Sequence, residues 1–166
     1  MNAVVKLMDL TDSLEMASEE SSAYLDLQTG TVVIVQNYLL RRAENAKDDT
    51  IPDNTLDWEE DEYAAARAID AADKRYLALP DKFDFHEYHH MERFIGTIAD
   101  DRTADQLWRA IKGKGAFRHF KDTAHRLGLI DDWYRYRDEA LKKFMLGWAE
   151  VNNVPVDKTP GRTGPG

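Results

Sequence analysis

The chain of 166 residues contains no cysteine. It therefore forms no disulfide and offers no thiolate nucleophile, which fits a reducing compartment. It lacks an N-terminal basic segment followed by an apolar core, so no signal peptide is visible. No apolar run approaches the length of a membrane span. Cations are outnumbered: 22 Lys and Arg stand against 31 Asp and Glu, a formal net charge of -9. Such a surface disfavours nonspecific binding to phosphate polymers. These absences leave a cytoplasmic protein, most simply one domain, with no membrane partner.

The N-terminal part reads first as a short apolar start, Val4 to Leu7. Leu7, Leu10, Leu14 and Ala17 then follow at helical spacing, which predicts a helix from about Asp9 or Thr11 to Ala17. Ser22 to Asn37 reads as a β-hairpin. Ala23 to Leu27 is one strand, Gln28-Thr29-Gly30 the turn, and the β-branched run Thr31 to Val35 the other strand. A lone hairpin is marginal in water, so a helix or a further strand such as Val4 to Leu7 must cover it. Asn37 to Asn45 either extends the strand or turns into a helix.

Asp48 to Glu62 holds no basic residue. Paired carboxylates can hold a hard cation, but the twelve-residue calcium loop with its central glycine is absent. Residues 45–60 read as a solvated acidic connection. Glu60 to Tyr76 is alanine-rich and predicts a helix with Ala65, Ala68, Ile69, Ala72 and Tyr76 inward. The segment ends at Leu77, Leu79 and Pro80.

Leu79 to Trp148 organises the rest. Asp84 and Glu87 have capping-box spacing, and the helix they open is predicted over Phe85 to Ala99. Tyr88, Met91, Phe94, Ile95 and Ile98 share one arc, and His86, His90, Arg93 and Thr97 the opposite one. His86-Glu87-Tyr88-His89-His90 spells HExxH, the helical zinc pattern, in which His86 and His90 ligate metal and Glu87 is the general base. No third ligand follows at zincin spacing, and Glu87 has a capping role open to it. The solvated face of an amphipathic helix is therefore the better account of these histidines, and no cofactor is implied.

A short helix over Asp101 to Ala110 leads into Lys112-Gly113-Lys114-Gly115. This turn is basic and too short for a P-loop. The helix it opens, Ala116 to Leu127, carries two stripes. Phe117, Phe120, Ala124 and Leu127 read as buried, and Lys114, Arg118, Lys121 and His125 as cationic. Between Asp101 and Arg126 seven basic residues face three acidic ones, a local excess of four in an acidic chain. Backbone N–H groups at a glycine-led helix start suit an anion. Lys112, Lys114, Gly115, Arg118 and Lys121 are therefore the candidate anion-binding residues, weighed against a plain solvated face whose cations pair with nearby aspartates. Their partner would be a protein or a small phosphate-bearing ligand, with RNA a further possibility. Gly128 stops the helix. A last helix, Asp132 to about Val151, places Trp133, Tyr134, Ala140, Leu141, Phe144 and Trp148 on one arc. Arg137 also falls in that arc and needs a carboxylate, for which Glu92 and Asp122 are the candidates. Residues 152–166, rich in glycine and proline, read as a flexible tail after a globular domain over 1–151.

The segments YLDLQTGTVVIV, LPDKFDFHEYHHMERF and, above all, GKGAFRHFKD followed by DDWYRYRDEAL resemble an uncharacterised bacterial protein family of the UPF series, number 0158. The resemblance spans about Leu7 to Val151. It implies one domain and supplies no activity, ligand or catalytic residue. The fold expected is α+β: a small N-terminal hairpin or sheet packed with a mostly helical C-terminal half, its core drawn from Val33, Val35, Phe94, Phe117, Phe120, Phe144 and Trp148. The function expected is a non-enzymatic binding or regulatory protein, with a metal-dependent hydrolase using His86, Glu87 and His90, or an RNA-binding protein, as the alternatives.

Overall fold

The computed structural model describes residues 2–45, 60–71 and 74–159. Most of the acidic segment between Asp48 and Glu62 lies outside them. The architecture is α+β and mostly helical, with its strands chiefly in the N-terminal half. The chain divides into two compact units, Met1–Asp81 with Met145–Gly166, and Lys82–Phe144.

The first, a sheet unit, starts with strand β1 (Val5–Lys6) and helix α1 (Leu7–Met16), which buries Leu7, Leu10 and Leu14. The hairpin forms as its sequence predicts, from β2 (Ser21–Asp26) and β3 (Thr31–Gln36), with Tyr24 opposite Val33 and Asp26 opposite Thr31. The turn closes through Gly30 N–H donating to the Asp26 carbonyl at 2.8 Å. Gly30 has φ +75°, and a Cβ there would lie 2.2 Å from the Val4 carbonyl oxygen. Only glycine satisfies both conditions. Asn37–Asn45 resolves into helix α2, and Glu60–Ala71 forms α3. Glu60, Asp61 and Glu62 occupy the first turn of α3, where the helix dipole favours carboxylates. Glu62 also accepts from the Gln36 N–H at 2.9 Å.

The inward face of α3 differs from the expectation. Tyr63 and Ala66 are buried, with Ala65 and Ile69 packed beside them, because the helix meets α2 and β3 through Val35, Leu39 and Ala43. The predicted helix also stops early. Tyr76–Ala78 is strand β4, antiparallel to β2, giving the strand order β3-β2-β4. Pro80, two residues beyond it, biases Leu79 toward extended backbone, which suits a strand as well as a helix end.

The predicted tail begins with ordered chain. Helix α8 (Ile130–Val151) ends in paired turns: Asn153 N–H reaches the Glu150 carbonyl at 3.2 Å and Val154 N–H the Ala149 carbonyl at 2.8 Å. Asn153 takes φ 57°, as such a helix stop requires. Val154 is buried, and β5 (Val156–Asp157) pairs in parallel with β1. The rest of the predicted tail, residues 160–166, lies outside the described residues.

The second, a helical unit, comprises α4 (Lys82–Phe85), α5 (Glu87–Gly96), α6 (Asp101–Ala110), α7 (Ala116–Arg126) and α8 as far as Phe144. Asp100 caps α6, accepting from the Thr103 N–H at 3.0 Å. Gly128 stops α7 with φ 72°, its N–H on the His125 carbonyl and the Leu129 N–H on the Ala124 carbonyl. The core gathers Met91, Phe94, Ile95, Leu107, Ile111, Phe120, Ala124 and Trp133. Phe120 and Trp133 meet edge to face at 4.9 Å, and Phe94 packs against both. Two predicted core residues are outside: Phe117 is 46% exposed and Tyr134 50%. On α8 the buried positions are Trp133 and then Leu141, Met145 and Ala149, a stripe rotated from the predicted one.

Candidate functional site

The segment that spells HExxH does not fold as one helix. Helix α4 ends at Phe85, and His86 stands between helices in left-handed conformation, φ 58° and ψ 61°. A non-glycine residue adopts that conformation at some cost. Asp84 lies within α4 rather than capping α5, so the capping box is not formed. Because His86 is itself left-handed and only N-caps α5, His86 and His90 do not lie one turn apart within a common helix. Glu87, the required general base, is ion-paired with the Arg137 guanidinium, both side chains being about four-fifths buried. This is the carboxylate that Arg137 needed, in place of Glu92 or Asp122. Glu92 instead lies 3.9 Å from His89 Nδ1. His90 stacks on Phe85 with ring centroids 4.4 Å apart. Loss of water around it pulls its pKa below the usual histidine value, and the charge of Arg93 pulls the same way. Among the described residues no three His, Cys, Asp or Glu side chains gather as a metal site. Among the described residues the HExxH letters thus have neither a continuous helix nor a gathered third ligand, and Glu87 is engaged by Arg137.

In α4, Phe85 is buried, whereas Lys82, Phe83 and Asp84 are exposed. Phe83 is 81% exposed and its ring lies 5.7 Å from that of His86. Tyr88 is partly exposed, its hydroxyl donating to the Ile111 carbonyl at 3.0 Å. These residues, with Lys82, Glu87 and Phe117, line a groove of about 390 Å³ whose surface is mostly apolar. Phe117 was expected in the core because Phe117, Phe120, Ala124 and Leu127 fit helical spacing. The structure packs Ala116 and Leu127 on either side of Phe120 and Ala124, and turns Phe117 to the groove.

Helix α7, which brings Phe117 to that groove, carries the candidate residues Arg118 and Lys121, while Lys112, Lys114 and Gly115 lie in the turn before it. Gly113 and Gly115 have φ 88° and 74°, so the basic turn reverses sharply before Gly115 N-caps the helix. His119 N–H donates to the Gly115 carbonyl at 2.9 Å, leaving the N–H groups of the first turn directed out of the helix. Lys112, Lys114, Arg118 and Lys121 are all exposed, as is Gly115. None of the four cations makes an ion pair with another described residue. Of the aspartates in this stretch, Asp105 pairs with Arg109 at 2.9 Å and Asp100 accepts from Thr103, while Asp101 and Asp122 make no ion pair with a described residue. Phe117 and Lys121, four residues apart, share one side of α7. The helix therefore presents an aromatic ring at the groove and uncommitted cations along its exposed surface. The cation stripe was legible in the sequence. The aromatic groove was not, because it depends on the break at His86 and on the rotation of α7.

The family model described as "Uncharacterised protein family (UPF0158)" matches residues 1–158. The chain belongs to this family. The UPF0158 protein PA5073 of Pseudomonas aeruginosa is 25% identical over 132 residues, covering 79% of this chain and 72% of that protein. No solved structure matches. Among the described residues no helix is long and apolar enough to cross a membrane.

Proposed function

We propose that the protein is a non-enzymatic, cytoplasmic binding protein whose helical unit captures an acidic protein segment carrying an exposed apolar side chain. The observation that carries this reading is the pairing of a groove of exposed aromatics, Phe83, Tyr88 and Phe117, with cations on and before α7 that have no ion-pair partner among the described residues. An apolar anchor would enter the groove, where contact with aromatic rings removes exposed apolar area from water. Carboxylates flanking that anchor would meet Lys114, Arg118 and Lys121 and the start of α7, where the helix contributes roughly half a positive charge. Such charges set approach rate and specificity more than affinity.

RNA is the second reading, since bases stack on exposed aromatics and phosphates seek cations. The net charge of -9 counts against a long polyanion, so an RNA partner would be short or local.

Fluorescence anisotropy with a labelled peptide, a tryptophan flanked by aspartates and glutamates, tests the proposal against an RNA oligonucleotide of similar length. The peptide should bind the native chain, weaken steeply with salt because exposed charges are screened over about 8 Å at physiological ionic strength, and fail to bind Arg118→Glu/Lys121→Glu. Phe83→Ser should weaken it with the fold intact. Equal binding by native and charge-reversed proteins, or binding of the RNA alone, would refute the peptide reading.

A further inference from the structure

A second cavity lies between α5 and α8, apart from the α7 face. Its volume is about 660 Å³, within the range of small-molecule sites. Its apolar walls come from Phe94, Tyr136, Ala140 and Phe144. Phe94 is anchored in the core and packs against Tyr136 at 5.5 Å, so this wall belongs to a rigid cluster. Phe85, edge-on to Phe144 and stacked on His90, holds the imidazole at the cavity from behind.

The rim is charged, and its charges differ in how far they are committed. Arg135 is ion-paired with Asp132 along α8. Glu139 faces Lys142 at 3.6 Å. Arg93 and Lys143, one on each helix, make no ion pair with a described residue. Two uncommitted cations thus stand over aromatic walls, while the two acids of the rim already have cationic partners. The arrangement suits a flat apolar body with one anionic group, since the body displaces water from the walls and the anion reaches the cations.

We propose that this cavity binds a small aromatic anion, its ring between Phe94, Tyr136 and Phe144 and its carboxylate or phosphate between Arg93 and Lys143. The proposal does not depend on the α7 face, and the two stand or fall separately.

Isothermal titration calorimetry on the full chain tests it, with 1-naphthoate and 1-naphthyl phosphate as probes and 1-naphthalenemethanol as the neutral counterpart. At least one anion should bind at a single site, and the alcohol should bind about tenfold more weakly or worse, the loss expected when a charge-assisted contact worth about 1.4 kcal/mol is removed. Whichever anion binds more tightly identifies the headgroup, and either preference supports the site. Ala140→Trp should fill the cavity and abolish binding. Arg93→Ala/Lys143→Ala, at exposed positions that leave the core intact, should weaken the anion and leave the alcohol unchanged. Arg118→Glu/Lys121→Glu should leave both unchanged. No binding of either anion at millimolar concentration, equal binding of the alcohol, or binding indifferent to Arg93→Ala/Lys143→Ala would overturn the proposal.

Discussion

The two units each hold a partly buried ion pair and differ in what lies beside their exposed charges. In the sheet unit the best-defined charge is spent on architecture. Asp26, 5% exposed, accepts from Arg75 Nε at 3.0 Å and Nη2 at 2.9 Å, and from the Gln28 N–H at 2.9 Å. These bonds tie the hairpin turn to the chain entering β4, where the Leu27 N–H also donates to the Arg75 carbonyl at 2.8 Å. In the helical unit, apart from Arg137 and Glu87, the charges stand outside: four cations on and before α7, and two over the α5–α8 cavity, have no ion-pair partner among the described residues. A charge with its partner in place holds the fold, whereas a charge left without one at an apolar groove is available to a ligand. From this comparison we propose scaffold for one unit and recognition for the other.

The largest effect should separate inside from outside within α7. Phe120→Ala should cost about 3–5 kcal/mol in denaturant unfolding, because the side chain is fully buried among aromatics. Phe117→Ala, three residues earlier and half exposed, should cost less than about 1 kcal/mol, the range of surface changes. Equal costs would erase the distinction between core and groove. Next in size is Gly30→Ala in the sheet unit. The new Cβ would collide with the Val4 carbonyl at a positive φ, and a loss of about 1–3 kcal/mol is expected. A neutral result in the same unfolding measurement would mean that the hairpin turn is not held against the N-terminal segment.

A smaller effect concerns acid. The hydrogen bonds and charge of Arg75 hold the Asp26 carboxyl down from 3.8 to about 2. Its folded pKa lies below its unfolded one, so between these values the unfolded chain binds more protons. The stabilisation is complete above about pH 4 and is lost as the pH falls toward 2. Unfolding followed from pH 5 to pH 2 should show a decline that is shallower in Asp26→Asn. An identical slope in both proteins would show that the pair contributes nothing to the sheet unit.

What the sequence disclosed follows the range of the interactions involved. The hairpin was legible because alternation, β-branching and Gly30 are local. The stop at Gly128 was legible for the same reason. Glu87 pairing with Arg137 across 50 positions was not, and Glu92 and Asp122 were equally good partners by periodicity. Strand β4 was missed because Tyr76-Leu77-Ala78 suits a helix end as well as a strand, and only its pairing with β2 decides. The HExxH letters misled because they carry no backbone: the left-handed His86 breaks the helix on which the motif's geometry depends. The α7 cations were correctly found on the surface, while Phe117 was assigned to the wrong side of the same helix.

The central claim is that recognition resides in the helical unit. Amide hydrogen exchange on the full chain, with and without a saturating acidic tryptophan peptide, tests it most directly. The account predicts added protection over residues 82–88 and 112–121, with the β2–β3 hairpin unchanged. Protection confined to the sheet unit, or none at a peptide concentration that saturates the anisotropy change, would contradict it.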